Sequence, residues 1–126
     1  MLVSKITPAA KKIIQVNPFE QKSIEGDLMI VNVQKYVVGS LDGTFNDDNV
    51  FEVKFGNMKQ ETKPDGTTKD MFDSVIVQRI KMTTQEVSTW GLDDHILHQL
   101  IIDKINENGA GLTIVSQSVE NIGYTI

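Results

Sequence analysis

The only two histidines of the chain, His95 and His98, stand three residues apart beside Asp93 and Asp94. Imidazole and carboxylate groups on one helical turn are donors that a divalent metal accepts. The spacing is not that of the two-histidine, one-glutamate zinc motif. No cysteine and no third histidine is present to complete a ligand set. Asp94 and His98, four residues apart, read instead as a pair on a helix surface. The acidic and amide side chains of Asp42–Asn49 are a second candidate, for calcium. Counted as an EF-hand loop from Asp42, the sixth position is Asp47 where glycine is needed, and the twelfth is Val53 where a bidentate glutamate is needed. An Asx-rich turn accounts for this loop.

Other chemistry is equally bare. Gly39, Gly43 and Gly56 match neither phosphate-binding glycine fingerprint. No serine sits in a nucleophile elbow, and no pair of carboxylates is set apart by apolar neighbours as an acid/base couple. Catalytic, cofactor-binding and metal-binding residues are therefore all assigned as none. An enzyme of unrecognised type is kept as the third functional reading.

Four aromatic residues, Tyr36, Phe51, Phe55 and Phe72, lie in strand-like segments. On a small β-barrel such rings stack on single-stranded nucleic acid. Here they alternate with polar residues as core residues do. Lys54, Lys59, Lys63 and Lys69 are offset by Glu52, Glu61, Asp65 and Asp70, and the net charge of −5 repels phosphate. A small β-barrel binding single strands is the alternative reading. Nucleic acid is not the expected partner.

The elements that position these residues follow from periodicity. Thr89–Asn108, with Gly109 after it, is punctuated as a helix at both ends. Asp93 and Asp94 offset the positive end of the helix dipole, and Gly109 supplies the left-handed cap. The spacing predicts a helix over about 93–108, with Ile96, Leu97, Leu100, Ile101 and Ile105 as its buried stripe, widened by Ile102. Trp90 precedes it, either stapling the helix to Leu97 or a strand or anchoring an interface.

The remainder alternates like β-sheet. Leu2–Thr7 and Lys11–Val16 are two short strands separated by Pro8, and Asn17-Pro18 opens a turn into a polar connection pinned by Phe19 and Ile24. Leu28–Val38 is apolar on both faces, as a central strand covered on two sides would be. Gly39–Asn49 is a loop. Val50–Thr62 and Thr68–Met82 form a long hairpin around Lys63-Pro64-Asp65-Gly66-Thr67, with glycine where φ must be positive. Phe51, Val53 and Phe55 face the core, as do Phe72, Ile76, Ile80 and Met82. Residues 57–70 are polar except for Met58 and are expected to project as an arm. Leu112–Val119 and Gly123–Ile126 complete the strands.

The fold class is thus α+β and mostly β: an antiparallel sheet, or a small sandwich or barrel, with one long hairpin and one helix. The 126 residues suffice for one domain with its own core. No apolar run spans a bilayer, and the N-terminal residues lack the features of a signal peptide.

The segment Val87-Ser88-Thr89-Trp90-Gly91-Leu92-Asp93-Asp94, following a long hairpin and leading into an aliphatic helix, resembles small virion structural proteins of tailed bacteriophages. So does the cysteine-free, acidic, β-rich make-up. The resemblance implies a non-enzymatic capsid-decorating, head–tail connecting or tail-associated subunit. It would be made in the host cytoplasm and bound to a capsid, portal or tail protein or to copies of itself. The candidate contacts are Lys59, Glu61, Lys63, Asp65, Gly66 and Thr67 of the arm, and Trp90.

Overall fold

A computed structural model describes residues 1–35, 48–120 and 123–124. The order is β1 (Leu2–Asn17), β2 (Glu20–Lys35), β3 (Asp48–Thr62), β4 (Thr68–Thr83), α1 (Asp94–Asn106), β5 (Thr113–Val119) and β6 (Gly123–Tyr124). The strands form one sheet in the order β5-β1-β2-β3-β4-β6. All pairs are antiparallel except the two-residue β4–β6 pair. The sheet is not closed into a barrel. No helix among the described residues is long and apolar enough to cross a membrane.

Two departures from the expected strands matter. First, β1 is continuous through Pro8, so the two short strands are one of 16 residues. Proline has no N–H to donate, and the ladder to β2 does break there. Lys5 pairs with Leu28, and pairing resumes only at Ala10 with Gly26. Meanwhile Ile6 and Thr7 pair with β5. Second, the supposed connection after Asn17 is a tight turn followed at once by β2. The chain therefore has two long hairpins, β1–β2 and β3–β4. Asp42–Asp47, the greater part of the expected Asx-rich loop, and Tyr36–Val38 lie outside the described residues.

The helix-facing core is built largely as the alternation requires. Met29, Phe51, Val53, Phe55 and Ile76 are buried from the sheet, and Leu97, Ile101 and Ile102 from the helix. The stripe is rotated from the predicted one: Ile96 is 39% exposed and Leu100 only half-buried, whereas His98 is buried. Asp93 caps the helix, accepting from the His95 backbone N–H at 3.0 Å. Before it, Thr83 and Glu86 form a reciprocal capping box at 3.0 and 3.2 Å. Lys104 ties that turn to the helix through Glu86 at 2.6 Å.

Phe72 departs from its predicted face. Phe55 pairs with Ile76 but Gly56 pairs with Ser74, leaving Val75 as an extra residue. A bulge reverses the alternation beyond it. Phe72 therefore packs with Val3 and Ile30 in a second cluster on the other face of the sheet. Chain reach requires the same bend. Val119 of β5 and Gly123 of β6 are four residues apart, a span of at most about 14 Å. Five strand spacings in a flat sheet would separate them by about 24 Å. The β3–β4 ribbon turns at Gly56 and brings Met71 and Phe72 back towards the β1–β5 edge.

Candidate functional site

The described surface offers four places to look: the buried histidine, an apolar cleft, the two hairpin arms, and a patch at the start of the helix.

His98 and His95 do not converge. His95 is exposed, while His98 is 2% exposed and its Nδ1 lies 2.7 Å from Ser4 Oγ. Gln117 donates to the same oxygen at 3.1 Å. Ser4 Oγ thus accepts from Gln117 on β5 and shares a hydrogen bond with the His98 Nδ1 on the helix, the imidazole tautomer setting its direction. Burial, with the nearby His95 charge, lowers the His98 pKa to about 4. The expected surface pair with Asp94 is therefore replaced by a buried link across three elements. The Ser4 side chain is wholly buried, so no substrate reaches this serine–histidine pair. Among the described residues no group of three metal-ligating side chains forms.

A cleft of about 380 Å³ opens where β1 leaves β2, lined by Pro8, Ala10, Phe55, Ile76, Ile105 and Leu112 among others. Its polar side chains are Lys11 and Gln78. Lys11 is ion-paired with Glu25 at 3.5 Å.

Phe51, Phe55 and Phe72 are buried, so none offers a ring face for base stacking. Tyr36 lies outside the described residues. Trp90 is also inside: it is 3% exposed and meets Phe51 edge to face at 5.7 Å. As a candidate contact residue it belongs to the core instead, because the turn before the helix folds it onto β3.

The hairpin arms are the most prominent surface features. Pairing of β2 with β3 ends at Leu28 and Gly56, and beyond it the two hairpins part, the β3–β4 one still pairing with β6 at Met71 and Phe72. The backbones nearly touch as they part. A Cβ on Gly26 would lie 2.5 Å from the Gly56 nitrogen, and one on Gly56 would lie 2.0 Å from the Asp73 oxygen. Asn57 Nδ2 donates to the Glu25 carbonyl at 2.9 Å, joining the two bases.

In the β3–β4 arm every residue from 57 to 70 is exposed. Lys59, Glu61, Lys63, Asp65, Gly66 and Thr67 are thus all at the surface, as expected. Glu61 stands opposite Lys69. The tip is tightly made: the Gly66 N–H donates to the Lys63 carbonyl at 2.9 Å, and Gly66 has φ +87°. Asp65 accepts from the Thr67 hydroxyl at 2.6 Å and its backbone N–H at 2.9 Å. The Thr67 hydroxyl, then its N–H, hold the Asp65 carboxyl below its usual pKa.

The β1–β2 arm differs. Ile13 is 67% exposed, Val16 53% and Phe19 99%. Asn17 accepts from the Phe19 N–H at 2.9 Å, setting the turn. Sequence reasoning missed this arm. Ile13, Ile14 and Val16 read as core in a strand, and only the register, which sets Ser23 and Lys22 opposite Ile13 and Ile14, reveals their exposure.

The last place is a recess of about 320 Å³ lined by Met1, Leu2, Leu92, Asp93, Asp94, His95 and Val119. Leu92 has φ +64° and follows Gly91 at +56°. A left-handed leucine costs on the order of 1 kcal/mol, yet this one is 67% exposed.

No family model, curated protein or solved structure matches the chain.

Proposed function

We propose that this chain is a non-enzymatic assembly subunit that docks on a repeated protein partner through its hairpin arms, as an accessory subunit of a bacteriophage virion would. The observation that carries this reading is the division at the Gly26–Gly56 crossing. On one side lies most of the two packed clusters; on the other lie two ribbons which, apart from Phe72 and Ile24 packed back onto those clusters near their bases, expose almost all their side chains to water. Ordering such ribbons costs backbone entropy, and contact with a partner is a use that repays it. The buried rings and the acidic charge favour a protein partner over a nucleic acid.

The test is to shorten Lys59–Lys69 to a tight Asn-Gly turn with the register kept. The shortened protein is expected to fold, with its incorporation into the native particle reduced, as read by quantitative mass spectrometry of purified particles. Incorporation at wild-type copy number would refute the role of this arm. Salt-dependent binding to a single-stranded oligonucleotide, with no particle association, would favour the nucleic-acid reading instead.

A further inference from the structure

We propose that copies of this chain associate head to tail, the β1–β2 tip of one copy seating on the Leu92–Val119 recess of the next. This rests on the proposed function for the premise that exposed arms are contacts. It deepens that reading by naming a second copy as the occupant.

The two ends complement each other in polarity and charge. One face of the tip carries Ile14 and Val16, exposed by 36% and 53%. Lys22 lies opposite Ile14, and Lys12 lies opposite Ile24 on the same face. Glu20, the first residue of β2, shares this face two positions before Lys22 and accepts from Asn17 Nδ2 at 3.1 Å, so Lys12 and Lys22 against Glu20 leave the face with one net positive charge. Phe19 at the apex is 99% exposed. The recess presents Leu92, Val119 and Met1, exposed by 67%, 76% and 39%, with Asp93 and Asp94 at its wall and Glu120 next along the chain. The Met1 ammonium is engaged by the Glu120 carbonyl at 3.1 Å. Cavities of about 150 Å³ accept a benzene ring, so the roughly 320 Å³ recess has room for the Phe19 side chain. The left-handed backbone at Leu92 holds an apolar side chain outward, where the fold itself gains nothing from it.

One copy cannot join its own two ends. Leu2 pairs with Val119 beside the recess, whereas Asn17 is 15 positions further along the same strand, roughly 50 Å at strand rise. A tip that meets a different surface on the next copy makes a heterologous contact, which propagates into a ring or a filament.

Sedimentation velocity over a wide concentration range tests this. Wild type is expected to associate. A tip variant (Val16→Ser with Phe19→Ser) and a recess variant (Leu92→Gly with Val119→Ser) should each associate at least tenfold more weakly. Leu92→Gly suits the left-handed backbone, and circular dichroism with unfolding midpoints verifies both folds. An equimolar mixture of the two variants retains one good tip and one good recess, so it should form a 1:1 dimer and stop there. The proposal is overturned if the mixture stays monomeric while wild type associates, or if either folded variant associates like wild type. A wild type that stays monomeric throughout also overturns it, while leaving particle incorporation through the Lys59–Lys69 arm to be judged by its own experiment.

Discussion

The two hairpin arms leave the sheet at the same glycine crossing and differ in everything beyond it. The β3–β4 arm is polar from residue 59 to residue 70, with Lys59, Lys63 and Lys69 against Glu61, Asp65 and Asp70. Its turn is fixed by Pro64, Gly66 and the Asp65–Thr67 hydrogen bonds. Such a ribbon is content in water. The β1–β2 arm exposes Ile13, Val16 and Phe19. Burying side chains of this kind is worth about 1.5–3 kcal/mol each, and this fold leaves that gain unused. The first arm is suited to a polar, geometrically specific contact. The second has a thermodynamic reason to find an apolar one.

The two arms are most sensitive to change at the glycines where they part. Gly56→Ala places a Cβ against the Asp73 backbone, with no flexible side chain to move aside. It should destabilise by about 3 kcal/mol or more, read by denaturant unfolding. A neutral outcome would mean that the two ribbons do not part where the structure has them.

Core and arm are separated next by truncation. Ile101→Ala, at a fully buried position, should cost about 2–5 kcal/mol. Leu100→Ala, half-buried, should cost distinctly less. Equal losses in urea melts would refute the rotated helix face.

Acid tests the buried link that holds the helix to β1 and β5. Unfolded, His98 takes up a proton near pH 6.5; folded, it resists until about pH 4. Within that window the unfolded state binds more protons, so stability falls as pH falls, by about 3 kcal/mol in full. His98→Gln should flatten this part of the stability–pH curve. An unchanged curve would show that another group carries the acid sensitivity.

The smallest effects belong to the arms. Phe19→Ser and Lys63→Ala should each leave the unfolding free energy within about 0.5 kcal/mol, since neither side chain is buried. A loss above about 2 kcal/mol at either would make that arm part of the core.

What the sequence made legible follows from what its patterns encode. The helix start was readable because its cap is local, Asp93 acting within one turn, whereas the helix ends at Asn106 with Glu107 as its C-cap, and Gly109, at φ +83°, closes the turns beyond it. The β3–β4 turn was readable for the same reason. Long-range pairing was not. Ala10–Gly26 pairs across a turn whose residues look like any polar connection, so the second hairpin went unseen. The Val75 bulge has no sequence mark, and it alone sends Phe72 to the other face. His98 looked like a surface residue because its partner, Ser4, lies 94 residues before it in the chain and is itself held by Gln117 on β5. The candidate contacts at the β3–β4 tip were legible as an exposed polar turn. The apolar tip was not, because isoleucine and valine in a strand read as core until the structure shows nothing opposite them.

Electron microscopy of the native assembly shows which surfaces are in contact. Residues 57–70 are expected to lie against a repeated partner, with Ile13, Val16 and Phe19 covered by protein. An assembly in which both arms stand free in solvent, with contact made through another face, would contradict the proposed docking.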